Sequence, residues 1–409
     1  MKKRARHNRH WRYHFTLVAV ALLTTNAASK YHLRQVCVHS DGESNSVCTM
    51  DDTNETNLEN RMVYQNLGNT GLMVSRLSYG AWITFGNQID VEQAYGIMKF
   101  CIERGINFFD NAEAYANGVA ETMMGKAFQQ IFKNMPHVTR EDLVITTKIF
   151  FGVKRPSYHP NRVGLSRKHV VEGLKQSLKR LQLDFVDVVF AHRWDPHTPM
   201  EEIVRAFNHV IDKGLAHYWC TSEWSAANIE EAYGVAKRLN LIPPACEQPQ
   251  YNLLHRERFE VEYSAIYDKY GLGTTVWSAL ASGVLTGKYN NGIPENSRLA
   301  LASLSSFKHQ FLSGERHGPW EEIIRRVLAL QRLGDEIGCT LPQLSIAWVL
   351  KNPHVTTVIM GGTKIHQLKE NLASLICEKK LTAALLAKME SIMATKPSGP
   401  KDWTRHKRI

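Results

Sequence analysis

From about Met62 onward, short runs of apolar, β-branched and aromatic residues alternate with longer stretches whose apolar positions recur every three or four residues. The first pattern predicts buried strands and the second amphipathic helices. YQNLGNTGLMVS, residues 64–75, reads as a hairpin with turn residues Gly68 to Gly71. After it come the strand candidates LSYGAW (77–82), NFFDNA (107–112), LVITTKIF (143–150) and FVDVVFAH (185–192). AHYWCTSEW (216–224), ACEQPQY (245–251), GTTVWSAL (273–280) and VTTVIMGG (355–362) complete the set. Helical patterns separate them: VEQAYGIMKFCIERG ending at Gly105, ETMMGKAFQQIF, a segment capped by Ser166, one with Pro199 in its first turn, SAANIEEAYGVAKRL and KIHQLKENLASL. Eight strands alternating with helices predict an α/β chain folded as a (β/α)8 TIM barrel, with an N-terminal hairpin and a long irregular loop, residues 285–319, after strand seven. An open doubly wound sheet is the competing architecture, but no GxGxxG follows the first strand.

The pattern divides the chain into a leader (1–61), a barrel domain (62–395) and a basic tail (396–409). A hydrophobic content of 44% over 409 residues supplies a large core. The formal charge of +11 changes little: six positive charges lie in residues 1–14 and a net four in residues 396–409, leaving the body nearly neutral. That excludes a nucleic-acid-binding body. The leader places a nine-residue apolar run, FTLVAVALL, after a basic start, which is the form of a secretory or organellar signal but too short to span a membrane. Residues 30–60 are polar, with an isolated sequon at Asn54, and read as disordered. Of seven cysteines, Cys101, Cys220 and Cys246 sit in apolar surroundings as buried thiols; Cys37 and Cys48 can pair only if the chain is secreted. A cytoplasmic location fits the body, with targeting by the leader left open.

In a barrel of this kind, chemistry collects at the C-terminal ends of the strands. Strand two ends at Asp110, five residues before Tyr115; strand three carries Lys148 near its end; strand four ends at His192. Buried Asp110 and Lys148 must pair. The ammonium beside Tyr115 is expected to lower the phenol pKa and make it a general acid, with His192 orienting a carbonyl oxygen. Singly, each residue has a structural explanation; the shared rim is what favours function. Arg193 and Asp195 read as loop residues, and the scattered histidines offer no metal site.

FFDNAEAY, TTKIF, GLSRKHVVEGLKQSLKRLQLDFVDVVFAHRWDPHTPMEE and WCTSEWSAANIEEA together resemble the aldo-keto reductase superfamily, over residues 62–395. The likeness is greatest to the branch that contains the β subunits of voltage-gated potassium channels and their plant and microbial relatives. It implies NADPH-dependent reduction of aldehydes or ketones, with Asp110, Tyr115, Lys148 and His192 as a catalytic tetrad. It places Trp82 in the substrate pocket and Ser222 and Gln248 on the nicotinamide carboxamide. Trp277, Ser278, Leu280, Ser282 and Lys288 match the pyrophosphate segment, Arg298 the cofactor-covering loop, and Gly361, Thr363, Gln367, Glu370 and Asn371 the adenosine-phosphate end. The GG pair and the helix start after it are compatible with an anion.

Three positions depart from the family pattern. Glu223 stands for an arginine common in animal channel subunits, Ala279 for a proline and Cys220 for a glycine. His192 replaces the asparagine of those animal subunits and favours catalysis. The competing function is an NADPH-holding, redox-sensing subunit, tetrameric in its relatives, that regulates a potassium channel α subunit; a scaffold without activity is a third. Substrate identity belongs to the loops.

Overall fold

A computed structural model describes residues 62–154, 159–295, 297–301, 305–315 and 317–399. The leader with its apolar run, Cys37, Cys48 and the sequon, and tail residues 400–409, lie outside the described residues. Strands β1 (Tyr64–Asn66) and β2 (Met73–Ser75) form the antiparallel hairpin. The chain then runs β3 (Leu77–Gly80), α1 (Val91–Glu103), β4 (Phe108–Asp110), α2 (Val119–Asn134), β5 (Val144–Ile149), α3 (Arg167–Leu181), β6 (Val186–Ala191) and α4 (Met200–Asp212). It continues through β7 (Ala216–Ser222), α5 (Ala226–Leu239), β8 (Cys246–Gln248), α6 (Ser264–Tyr270), β9 (Gly273–Val276), α7 (Ser305–Leu312), α8 (Trp320–Glu336), α9 (Leu341–Leu350) and β10 (Thr357–Met360). Three helices end it: α10 (Ile365–Leu372), α11 (Ser374–Lys380) and α12 (Ala383–Met393). Strands β3 to β10 close in order into a parallel barrel, β10 pairing with β3. The predicted TIM barrel is therefore the fold.

Two details differ from expectation. The loop after β9 is not wholly irregular, since it contains α7 and two short 3-10 turns. Pro199 caps α4 from one residue before its first turn. Elsewhere the caps follow the sequence: Asp90 and Gln93 form a capping box on α1, and the Ser166 and Ser225 hydroxyls accept from backbone amides of His169 and Asn228. Among the described residues no helix is long and apolar enough to cross a membrane.

Period two along the strands sets what fills the barrel and what lines its mouth. At the N-terminal end, Phe108, Val144, Val188, Phe190, Cys220 and Cys246 form one apolar cluster, closed from below by Leu67 and Val74 of the hairpin. Gly68 allows this closure: it adopts a φ of 58°, and a Cβ there would sit 2.5 Å from the Ala245 carbonyl oxygen. Two residues further along the same inward faces stand Asp110, Thr146, Ser222 and Gln248, and four further Lys148 and His192. One stripe per strand thus changes from core to site within a single turn of the pleat.

A buried carboxyl lies outside that stripe. Glu247 on β8 is sealed from solvent, accepts from Thr221 Oγ1 at 2.5 Å through Oε2, and leaves Oε1 without a partner. Burial above all pushes its pKa up to about 8. The unfolded chain releases this proton near 4.5 while the fold keeps it to about 8, so unfolding releases a proton between those pH values. Stability from this group is complete at acid pH and is lost as pH rises, by at most about 1.4 kcal/mol per unit. Glu247→Gln is expected to flatten the decline of Tm between pH 5 and pH 8.5, read by thermal denaturation of both proteins at each pH (about one titrating proton,).

Candidate active site

Asp110 at the end of β4 and Lys148 near the end of β5 meet inside the mouth of the barrel. Lys148 Nζ lies 2.5 Å from Asp110 Oδ2, with both side chains buried. The ammonium also donates to the Asn111 carbonyl at 2.8 Å and to the Tyr115 hydroxyl at 3.1 Å. Asp110 Oδ1 accepts from Thr146 Oγ1 at 3.0 Å and Gln248 Nε2 at 3.1 Å. Because Lys148 fills one lone pair of the phenol oxygen, the Tyr115 proton is free to point into the pocket. The His192 ring packs edge-on against Tyr115, with centroids 5.8 Å apart, and its Nδ1 is buried without a partner. Trp82 and Trp277 meet edge-on at 5.7 Å, and Trp82 reaches the Tyr115 ring at 6.4 Å. The Phe151 ring also packs edge-on against His192, with centroids 5.0 Å apart.

Strained backbone holds this wall. Ile83, β-branched and next to Trp82, has a φ of 65°. Ala116, Asn117 and Gly118, immediately after Tyr115, are all left-handed. Asn117 ties that turn to the segment after β5, accepting from the Lys154 amide and donating to its carbonyl.

The electrostatics differ from the sequence-based expectation at one point. Tyr115 is raised well above the ordinary phenol pKa, first by burial and then by the Asp110 charge, with Arg193 opposing the rise. The ammonium of Lys148 does not lower it because Asp110 already neutralises that charge at contact distance. Lys148 is lowered, mainly by burial. His192 falls well below the usual imidazole value, first through burial and then through the Lys148 and Arg193 charges. Near neutral pH the rim therefore holds a protonated phenol and a neutral imidazole, the states suited to protonating and orienting a carbonyl oxygen.

The remaining predicted residues line a path away from this centre. Ser222 Oγ donates to the Gln248 carbonyl at 3.0 Å, and Gln248 Nε2 is also engaged by Thr275, so the Gln248 Oε1 is what remains to meet a ligand amide. Ser278, Ala281, Ser282 and Gly283 are left-handed, folding residues 278–283 into a tight curl beside Leu280. Gly283 suits that curl because its φ of 96° lies in a region that side-chain-bearing residues rarely adopt. Lys288 and the half-buried Arg298 repel one another, and neither forms an ion pair among the described residues; partial burial and Arg298 bring Lys288 down to about 8. Arg298 Nη2 lies against Gly361. Two unpaired cations over a curled backbone fit the phosphates of a dinucleotide. Gln367 behaves differently from the simple helix-terminus picture: its Oε1 accepts from the Thr363 and Lys364 amides, occupying two donors offered to an anion. Glu370 and the buried Asn371 follow on α10.

The departures have local accounts. Glu223 accepts from the Gln250 amide, Trp277 Nε1 and Arg258 Nη1, so its carboxylate is committed to the protein's own donors. Cys220 packs in the barrel floor beside Cys246. Ala279 is buried, and Asn252 holds the turn before it through the Ser278 carbonyl.

Sequence reasoning missed Thr146 and Thr275, which extending the period-two stripe by one position finds. It also missed Arg193, which turns toward Ser222 rather than away from the site. Asp195 behaves as a loop residue, accepting from the Leu165 and His197 amides and Thr198 Oγ1.

Residues 76–394 match the model of the Aldo/keto reductase family. The chain is 49% identical over 343 residues to a probable voltage-gated potassium channel subunit beta of Arabidopsis thaliana, covering 84% of this chain and 100% of that protein. It is 50% identical over 337 residues to a protein of the same name from Oryza sativa subsp. japonica, covering 82% and 98%.

Proposed function

Because the chain belongs to the aldo/keto reductase family, we propose that it reduces aldehydes or ketones with NADPH. The observation that supports this most is the hydrogen-bonded series Asp110–Lys148–Tyr115 beside a neutral His192. A nicotinamide held beside Tyr115 would supply the hydride for the carbonyl carbon. Tyr115 gives its proton to the carbonyl oxygen, and Lys148 holds the phenol oxygen by donating to it. Asp110 keeps Lys148 in place, His192 orients the oxygen, and Trp82 and Trp277 exclude water. Ser222 and Gln248 would hold the carboxamide, residues 277–288 and Arg298 the pyrophosphate, and Gly361 to Asn371 the adenosine phosphate. The test is steady-state oxidation of NADPH by a reactive aldehyde; binding of NADPH without turnover of any aldehyde in a broad panel removes the reading.

Lys288→Met and Arg298→Met are each expected to weaken NADPH binding about tenfold or more, since charge-assisted hydrogen bonds contribute about 1.5–3 kcal/mol. Fluorescence titration measures this, and kcat at saturating cofactor should change far less.

A second reading rests on the relatives, which are named as potassium channel subunits and match over nearly their whole length. In it the protein is a cytoplasmic, tetrameric, NADPH-holding regulator of a channel α subunit. Co-purification with a channel and slow cofactor exchange favour it; rapid multiple turnover without a channel favours the enzyme.

A further inference from the structure

Arg193 follows His192 at the end of β6 and is half-buried. Its Nη1 donates to the His192 carbonyl at 2.5 Å and lies 3.4 Å from Ser222 Oγ. Its guanidinium carbon is 5.9 Å from the centre of the Phe151 ring, which itself packs on His192. The group therefore stands at the rim beside His192, whose ring also packs on Tyr115, and close enough for its charge to act on Tyr115.

What distinguishes it is the lack of an acid. The other arginines withdrawn from solvent mostly meet one: Arg76 pairs with Glu378, Arg140 with Asp187, Arg180 with Glu121, Arg256 with Glu260, Arg258 with Glu223 and Arg326 with Glu322. Among the described residues only Arg193 and Arg298 are withdrawn from solvent without such a pair, and Arg298 already faces the proposed cofactor path. The carboxylates near Arg193 are committed: Asp110 to Lys148, and Asp195 to its own loop. The charge is consequently uncompensated, and it lowers the pKa of both Lys148 and His192. Withdrawing a guanidinium from water without a counter-charge is unfavourable. Its planar fork suits a carboxylate, and Nε and Nη2 have no protein partner among the described residues.

We propose that Arg193 makes the pocket select carbonyl substrates that carry a carboxylate, pairing with that group while Tyr115 faces the carbonyl oxygen; this deepens the carbonyl-reduction reading and rests on it. The test uses 2- and 4-carboxybenzaldehyde, each beside its methyl ester, with NADPH. The wild-type chain should turn over at least one acid with kcat/KM about tenfold or more above its ester, as expected of a charged hydrogen bond gained. Arg193→Gln should remove that preference by raising KM for the acid, and Arg193→Lys should keep part of it. The ester should lose far less in either variant. Rising ionic strength should narrow the preference in the wild type. Equal kcat/KM for acids and esters in the wild type, or an unchanged preference in Arg193→Gln, overturns the proposal.

Binding of benzoate and benzamide to the NADPH complex, followed by calorimetry, separates the two levels. Benzoate affinity that exceeds that of benzamide and is lost in Arg193→Gln supports anion selection even if no aldehyde turns over, in which case only the reduction reading fails. Equal binding of the two by the wild type overturns anion selection whatever the turnover.

Discussion

Tyr115→Phe is expected to lower kcat/KM for a reactive aldehyde by about 10²- to 10⁴-fold, the range of a lost general acid. NADPH affinity should stay within about twofold, because the phenol lies at the chemical end of the path and the cations at the other. The substitution removes one oxygen and one 3.1 Å contact to Lys148, which keeps Asp110 and the Asn111 carbonyl as partners. The fold therefore loses little. Burial raises the phenol pKa, so the proton is present throughout neutral pH, and the loss on substitution should be similar at pH 6 and pH 8. Stopped-flow absorbance of NADPH oxidation gives the chemical rate, and a fluorescence titration gives affinity. Retained turnover would leave His192 as the remaining proton source; its depressed pKa makes it a weak candidate, since the neutral ring dominates near pH 7.

How much of this was legible in the sequence follows from where each signal resides. Strand and helix order was legible because buried parallel strands are short apolar runs and their helices repeat at three to four residues. Asp110, Lys148 and His192 were legible because a polar residue ending such a run must face either water or the barrel mouth. Tyr115 was legible only by its place five residues past the end of strand two, since a tyrosine in a loop carries no periodic signal, and the resemblance strengthened it. The direction of its pKa shift was missed because pairing in three dimensions decides it: a free ammonium lowers a phenol, and one in contact with Asp110 does not. Arg193 was illegible for the same kind of reason. One position after a strand, nothing in the sequence states whether a side chain turns to solvent or back over the rim, nor that no acid waits for it. The Gln367 contact with two helix amides is likewise a matter of rotamer, which composition does not encode.

Lys148→Met should be strongly destabilising, costing about 3–5 kcal/mol by leaving Asp110 charged and buried without its partner. Thr146 and Gln248 still donate to Asp110, but two neutral hydrogen bonds do not replace an ammonium at 2.5 Å. Asp110→Asn should cost a similar amount, stranding the ammonium among the Asn111 carbonyl and the Tyr115 hydroxyl. The double variant removes both charges, and its stability should return to within about 1–2 kcal/mol of the parent, because a neutral pair avoids the desolvation that each single variant leaves unbalanced. Activity should not return. With no ammonium donating to the phenol oxygen, nothing fixes the direction of the Tyr115 proton, so the double variant should reduce aldehydes as poorly as Lys148→Met does. Urea midpoints and single-turnover rates on the four proteins measure both quantities. Recovery of stability without recovery of rate assigns the ion pair to positioning the acid; recovery of both would mean that Tyr115 needs no support from Lys148, and loss of both would mean that the pair is bound into the core more tightly than its geometry requires.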